Sequence, residues 1–257
     1  MTLPPRIRAH RTPRTPVRPA FDRGQTPRIA CFSQAKHPLG VPIDTLLAAL
    51  QEYVDQHVAP VWSTPAQLVH SSGYLKEHWA IVFLDESDEP GALAYHDLTP
   101  DGLPLSKVFV KTIRDGGGSL SVATSHELVE MLVDPAINLL ALGPRKGYAY
   151  AYESADPVEE VAFPVRGLPM SDFVYPAYFE AFRAERSTQF DHVSKVTRPF
   201  NFSRAATRSC SRTGSGASSS DPMPGADAFS ASTTPIIAAN NARRRSGARG
   251  RFGRAEA

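Results

Sequence analysis

The stretch SHELVEMLVDP, residues 125–135, places ionisable side chains inside an apolar helical pattern. Residues i and i+4 lie on one face of an α-helix about one turn apart, so His126 and Glu130 can reach the same cation. Glu127 lies beside them, within reach of a water molecule bound to that cation. The opposite side of the helix offers apolar anchors for a core, namely Leu128, Val129, Met131 and Leu132. The stretch predicts either a metal site or an ordinary helix with a solvated acidic face.

Further acidic residues follow the helix. Asp134 stands four residues after Glu130, so a continued helix would place both on one face. The segment YESADP then brings Glu153 and Asp156 three residues apart, and one helical turn would point both carboxylates the same way. Carboxylates that lie close together repel, so either one is protonated or a cation binds. We expect the fold to bring the Glu153 carboxylate within roughly 5 Å of the His126 ring or the Glu130 carboxylate. His126, Glu130 and Glu153 would then hold a metal, with Asp134 and Asp156 orienting the ligands or replacing Glu153.

The order of these residues resembles a group of uncharacterised bacterial and phage proteins with a zincin-like core. In that group, a Ser-His-Glu-[Ile/Leu]-x-Glu motif precedes Asp-Pro, and Glu-x-x-Asp follows later; this chain reads SHELVE, then DP, then ESAD. The resemblance extends over about residues 75–200. It implies a metallopeptidase-type fold. The site residues that it marks are His126, Glu127, Glu130, Asp134, Glu153 and Asp156.

The function that we expect from these residues is metal-dependent hydrolysis of a peptide bond in a peptide or protein substrate. One divalent metal, expected to be zinc, would activate a water molecule, and Glu127 would act as the general base. Zincins have a second histidine where this chain has Glu130, and a carboxylate in that place favours Mn²⁺ or Ca²⁺ more than a two-histidine site does. The alternative is a non-catalytic structural or phage-associated protein that keeps the metal as a clip.

His96, in the segment AYHDL, is a further candidate. It ends a predicted strand, and in zincins the strand beside the motif helix borders the substrate cleft. His96 is therefore a possible third ligand or substrate contact, and a hydrogen-bonded structural histidine is the alternative.

Charge divides the chain into three parts. Residues 1–28 hold seven Arg and one acid, residues 201–257 hold nine Arg and three acids, and residues 29–200 hold 12 Lys or Arg against 22 Asp or Glu. The net charge of +2 therefore hides an acidic centre between two basic ends and does not indicate nucleic-acid binding. No apolar run approaches the roughly 20 residues that span a bilayer, and the N-terminus lacks the apolar core of a secretory signal. We expect a cytoplasmic protein without a membrane or nucleic-acid partner.

The predicted fold is a single α+β, zincin-like domain over residues 29–200, in which a small mixed sheet packs on the motif helix. A helix is expected from Pro42 to Pro60, with its apolar residues on one face. Another helix begins near Ser119, and strands are expected at residues 78–86, 91–98, 105–113 and 147–154.

The two basic ends have the composition of disordered segments. Residues 1–28 form an Arg/Pro-rich leader, and residues 201–257 are rich in Arg, Ser, Ala and Gly. A shifted reading frame after Phe202 is a second explanation for the tail, since the degenerate codons permit a strand-and-turn sequence in another frame.

Limited proteolysis should therefore leave a stable fragment near residues 29–200, because the ends contain little apolar pattern to offset the entropy of ordering them. The fragment is to be identified by its mass. Unfolding of the domain on removal of the C-terminal tail would mean that the tail supplies a missing element.

Overall fold

A computed structural model of the chain describes residues 24–144 and 149–203, and these residues mix helices and strands. The strands are β1 (Arg28–Ser33), β2 (Gln67–His70), β3 (Trp79–Leu84), β4 (Ala94–Leu98), β5 (Pro104–Phe109), β6 (Leu140–Leu142), β7 (Ala149–Ala151), β8 (Ala162–Val165) and β9 (Leu168–Ser171). The α-helices are α1 (Ile43–Glu52), α2 (Ala59–Trp62), α3 (Val110–Asp115) and α4 (Leu120–Val133). A π-helical segment covers Tyr53–Val58, and 3₁₀ turns cover Asp156–Val158 and Pro176–Phe179. The α+β class predicted from the sequence is confirmed.

Five strands form one mixed sheet in the order β2-β1-β3-β5-β4. Strands β1, β2, β3 and β5 run parallel, whereas β4 is antiparallel to β5 and lies at the edge. In this register His96 of β4 stands opposite Ser106 of β5. Strands β6–β7 and β8–β9 form two separate antiparallel pairs.

Helix α4 carries the SHELVE motif. It begins after Ser119, as predicted, and packs against β4, β5 and β9. Apart from Leu120 and Val122, all of its residues are buried. The alternative of a helix with a solvated acidic face is therefore wrong. Its acids lie in the interior, where an unpaired charge is costly.

The first predicted helix is present and is longer than expected. Its apolar residues are buried on one face as predicted, namely Leu46, Leu47, Leu50, Val54 and Val58. Pro60 does not end it, because the helical path passes through the π-helical segment into α2 and stops at Ser63, which has a left-handed backbone. Proline is tolerated there because it occupies the first turn of α2, where a missing N–H matters little.

The strand predicted at residues 105–113 is too long. Strand β5 ends at Phe109, and α3 begins at Val110. Val110 and Ile113 are both buried, which a helix achieves through its i, i+3 spacing. The alternation of Val108 and Val110 is typical of a strand, whereas the spacing of Val110 and Ile113 also fits a helix. The sequence pattern therefore did not show where the strand ends and the helix begins.

Residues 1–23 and 204–257, which make up most of the two predicted disordered ends, lie outside the described residues, as does Tyr148 of the strand predicted at 147–154. The described part continues slightly past the predicted boundary. Phe200 is buried, and the Ser203 N–H donates a hydrogen bond to the Pro157 carbonyl. Among the described residues, no helix combines the length and apolar character needed to cross a membrane.

Two buried acids, Asp172 and Asp191, accept backbone hydrogen bonds in the segments that follow β9. Asp172 Oδ1 accepts hydrogen bonds from the Phe173 and Val193 amides at 2.8 and 3.1 Å. Asp191 uses both carboxylate oxygens to accept the Lys195 and Val196 amides. Burial and the neighbouring Asp191 raise the pKa of Asp172 to about 8. The folded state therefore binds a proton at Asp172 that the unfolded state releases near pH 4.

The replacement Asp172→Asn should stabilise the domain by about 1–3 kcal/mol at pH 8 and change little at pH 4. A raised pKa gives a contribution that is complete below the unfolded pKa and is lost as pH rises through the folded pKa, so an uncharged amide helps only at high pH. Urea unfolding at both pH values measures the difference. Asp191→Asn is a comparison variant and should destabilise at pH 4, since its amide nitrogen would face a backbone donor. At pH 8 the loss should be smaller, because the variant also removes a charge that opposes ionised Asp172. Equal effects of Asp172→Asn at pH 4 and pH 8 would contradict the shift.

Candidate metal centre

Helix α4 points three ionisable side chains of the motif into the interior. His126 and Glu130 lie one turn apart with 1% and 2% of their surface exposed, and Glu127 is fully buried. The preceding Ser125 fixes the helix in place, because its hydroxyl donates to the Val122 carbonyl and accepts the Ser171 amide of β9 at 2.7 Å. The motif residues are therefore held on an element that packing makes rigid.

Glu130 connects α4 to the chain segment that follows β7. Its Oε1 accepts hydrogen bonds from the Ala155 and Asp156 amides at 3.1 and 3.3 Å. These amides lie at the start of the 3₁₀ turn Asp156–Val158, where backbone N–H groups lack partners within the turn. Glu130 thus places the predicted second acidic group, Glu153 and Asp156, against the motif helix.

The first group of potential ligand atoms contains His126, Glu130 and Asp156, whose ligand atoms all lie within 4.8 Å of one another. His126 Nε2 is 3.4 Å from Glu130 Oε1 and 3.4 Å from Asp156 Oδ1. The Asp156 side chain is 42% exposed, whereas the other two are buried. This group is therefore buried at His126 and Glu130 and accessible to solvent at Asp156.

The second group contains His96, Glu130 and Glu153, again with ligand atoms within 4.8 Å of one another. His96 projects from the edge strand β4 and is 1% exposed. Its Nδ1 is 3.1 Å from Glu127 Oε2 and 3.8 Å from Glu130 Oε2. Glu130 thus belongs to both groups, with Oε1 near His126 and Oε2 near His96.

Several buried polar atoms of this cluster have no hydrogen-bond partner among the described residues. They are both ring nitrogens of His126, His96 Nε2, Glu127 Oε1 and Glu153 Oε2. Each such atom costs about 1–3 kcal/mol when it is left unsatisfied. A bound ion or water molecule at the centre of the cluster would satisfy several of them at once.

The charges of the cluster oppose one another in the absence of a cation. Burial, followed by the charge of Glu130, raises the pKa of Glu153 well above its usual range and also raises that of Asp156. Burial by itself would lower the pKa of His96, but the Glu127 contact and the charge of Glu153 raise it to about 10. In the absence of a cation, the folded chain therefore holds protons on these groups, and a bound cation would displace those protons.

The structure brings most of the predicted site residues together. The expected proximity of Glu153 to the motif helix is confirmed, since its ligand atom lies within 4.8 Å of Glu130. The ligands are divided differently from the predicted trio, because His126 groups with Asp156 and Glu153 groups with His96. His96 thus lies in the cluster itself. In the sequence, His96 was marked only by its position in a predicted strand. A histidine with a purely structural role occurs in the same kind of position, so the sequence did not assign His96 to the cluster.

Asp134 does not lie one turn further along the motif helix, so that expectation is wrong. Helix α4 ends at Val133, and Asp134 has a non-helical backbone with φ −126° and ψ 67°. Its Oδ2 accepts a hydrogen bond from the Leu139 amide at 2.8 Å. Asp134 therefore anchors the turn after the helix.

Comparison of the chain with protein-family models, with curated proteins and with solved structures finds no match. The fold and the cluster define an α+β protein with a buried group of histidines and carboxylates close enough to hold a metal ion.

Proposed function

We propose that this protein is a divalent-cation-dependent hydrolase of peptide bonds, in which His126, Glu130 and Asp156 hold the cation. One observation carries the proposal: the buried His126 imidazole makes no hydrogen bond among the described residues, yet Nε2 lies 3.4 Å from two carboxylate oxygens. A cation satisfies all three groups at once. Three protein ligands with one partly exposed resemble a catalytic site, which keeps one position open, more than a closed structural site.

A divalent cation at this position would polarise a substrate carbonyl and acidify a water molecule. Glu127 is the candidate general base. It belongs to neither ligand group, and it lies three residues before Glu130 on the same helix. Burial raises the pKa of Glu127, which makes it a better proton acceptor near neutral pH. The contact with His96 Nδ1 fixes the orientation of its carboxylate.

The position of β4 supports a peptide as the substrate. This strand is at the edge of the sheet, and within the described sheet it pairs only with β5. An extended peptide can add to such an edge through backbone hydrogen bonds. His96 lies in the same strand, so a peptide bound there would run beside the cluster. The resemblance to zincin-like proteins, in which this strand borders the cleft, points the same way.

A structural cation site is the second candidate function. Glu127 and His96 are buried, which limits the access of a substrate to the proposed base. In this alternative the cation holds the segment around Asp156 against α4, and the protein catalyses no hydrolysis.

Metal analysis of the purified full-length chain, combined with a peptide cleavage assay, tests the proposal. We expect at least one equivalent of a divalent metal ion per chain. We also expect cleavage of a quenched-fluorescent peptide library, and this cleavage should stop on addition of a chelator. Bound metal without cleavage would favour the structural alternative. A chain that binds no Zn²⁺, Mn²⁺ or Ca²⁺ would overturn both.

A further inference from the structure

The two carboxylate oxygens of Glu130 face different groups of ligand atoms. Oε1 lies 3.4 Å from His126 Nε2, in the group that includes Asp156. Oε2 lies 3.8 Å from His96 Nδ1, in the group that includes Glu153. A carboxylate in this position can bridge two ions, and paired metal ions in proteins lie about 3.5–4 Å apart.

The charges of the cluster can accommodate more than one divalent cation. The cluster contains four carboxyl groups, from Glu127, Glu130, Glu153 and Asp156, and two imidazoles. When all six groups are deprotonated the carboxylates carry four negative charges. One divalent ion balances two of these charges, and the other two are balanced either by protons or by a second divalent ion. Uncompensated buried charge is strongly unfavourable. A second divalent ion brings the cluster to neutrality.

His96 provides an independent observation. It is 1% exposed, and its Nε2 has no hydrogen-bond partner among the described residues. Its Nδ1 contacts Glu127 Oε2 at 3.1 Å. Histidines that bind metal characteristically place a carboxylate on the other ring nitrogen, which fixes the tautomer and the ring orientation. In His96 the carboxylate contact is at Nδ1, which also lies 3.8 Å from Glu130 Oε2, and Nε2 is the ring nitrogen without a partner among the described residues.

We propose that the cluster is a two-cation centre, in which His96 and Glu153 hold a second divalent cation and Glu130 bridges it to the cation at His126 and Asp156. This inference rests on the proposed function for the first cation. The ligands are imidazole and carboxylate, so the second site takes a first-row ion such as Mn²⁺ or Zn²⁺. Glu153 then has a role separate from the first site.

The test loads the full-length chain with Mn²⁺ after treatment with a chelator. Equilibrium dialysis measures bound Mn²⁺ per chain, and electron paramagnetic resonance detects magnetic coupling between neighbouring ions. We expect two ions per chain and a coupled spectrum. Glu153→Gln should lower the number to one and abolish the coupling. Glu160→Gln, an exposed acid seven residues later in the chain, is the matched control and should keep both ions.

Each outcome decides a different point. One uncoupled ion in the unmodified chain would overturn the second site and leave the proposed function standing, whereas no bound ion would overturn both. Two ions without coupling would place the second elsewhere and contradict the bridge. If Glu153→Gln does not fold, the number of ions and the coupling in the unmodified chain still decide the proposal.

Discussion

Replacing Glu127 by Gln should lower kcat/KM for peptide cleavage by about 10²–10⁴-fold, the usual contribution of a general base. The amide keeps the shape of the side chain and an oxygen near His96 but cannot accept a proton from water. Cation binding should persist, because neither group of ligand atoms includes Glu127. Steady-state cleavage of the peptide that the unmodified chain cleaves best measures the loss.

The control for Glu127→Gln is again Glu160→Gln, which removes a carboxylate from the surface. It should leave both cleavage and cation content unchanged. Undiminished cleavage by Glu127→Gln would mean that another group takes the proton. Loss of the cation together with cleavage would mean that Glu127 is itself a ligand.

Removal of divalent cations should lower the melting temperature of the chain by roughly 5–10 °C. Binding to the folded state alone stabilises it by about 2.7 kcal/mol at a hundredfold excess over the dissociation constant. For a domain of this size, each kcal/mol changes the melting temperature by about 2–4 °C. Without a cation, Glu153 and Asp156 must take up protons to relieve their repulsion with Glu130, because the cluster raises their pKa values. Calorimetry with a chelator, and then with Zn²⁺ or Mn²⁺ in excess, measures the change.

His126→Ala should abolish most of this cation-dependent difference, whereas Glu127→Gln should keep it. Comparing each variant with and without cation separates the lost ligand from any change in packing. Identical melting of the unmodified chain with chelator and with each cation would leave a buried acidic cluster and no metal site.

The stabilisation by cations should increase with pH between about 6 and 9. Ligands must be deprotonated to bind, so protons compete with the cation more strongly as pH falls. Burial alone would lower the pKa of His126, but the charge of Glu130 raises it well above its usual range, and the pKa of His96 is raised to about 10. A histidine with a raised folded pKa stabilises the cation-free fold fully below its unfolded pKa near 6.5, and this stabilisation is lost as pH rises through the folded pKa. Both effects widen the difference at high pH.

The sequence by itself determined the local elements and the chemical character of the site. The apolar spacing around Leu46 and Leu50 predicted α1, and Ser119 marked the start of α4. The spacing of His126 and Glu130 placed both on one helix face, because helix geometry depends only on sequence separation. The prediction that Glu153 approaches the helix followed from assigning it to a shared metal site, and the structure places its ligand atom within 4.8 Å of Glu130.

Only the tertiary structure decided which residues form each group of ligands. Pairing of His126 with Asp156 follows from the hydrogen bonds that Glu130 accepts from the 3₁₀ turn, and those depend on how the chain returns after β7. His96 reaches Glu127 because β4 runs antiparallel at the sheet edge beside α4, a contact between residues 31 apart in sequence. Burial of the whole motif helix was likewise not encoded in its own pattern. It results from packing against β4, β5 and β9, since the cost of burying a charge depends on surroundings that distant segments supply.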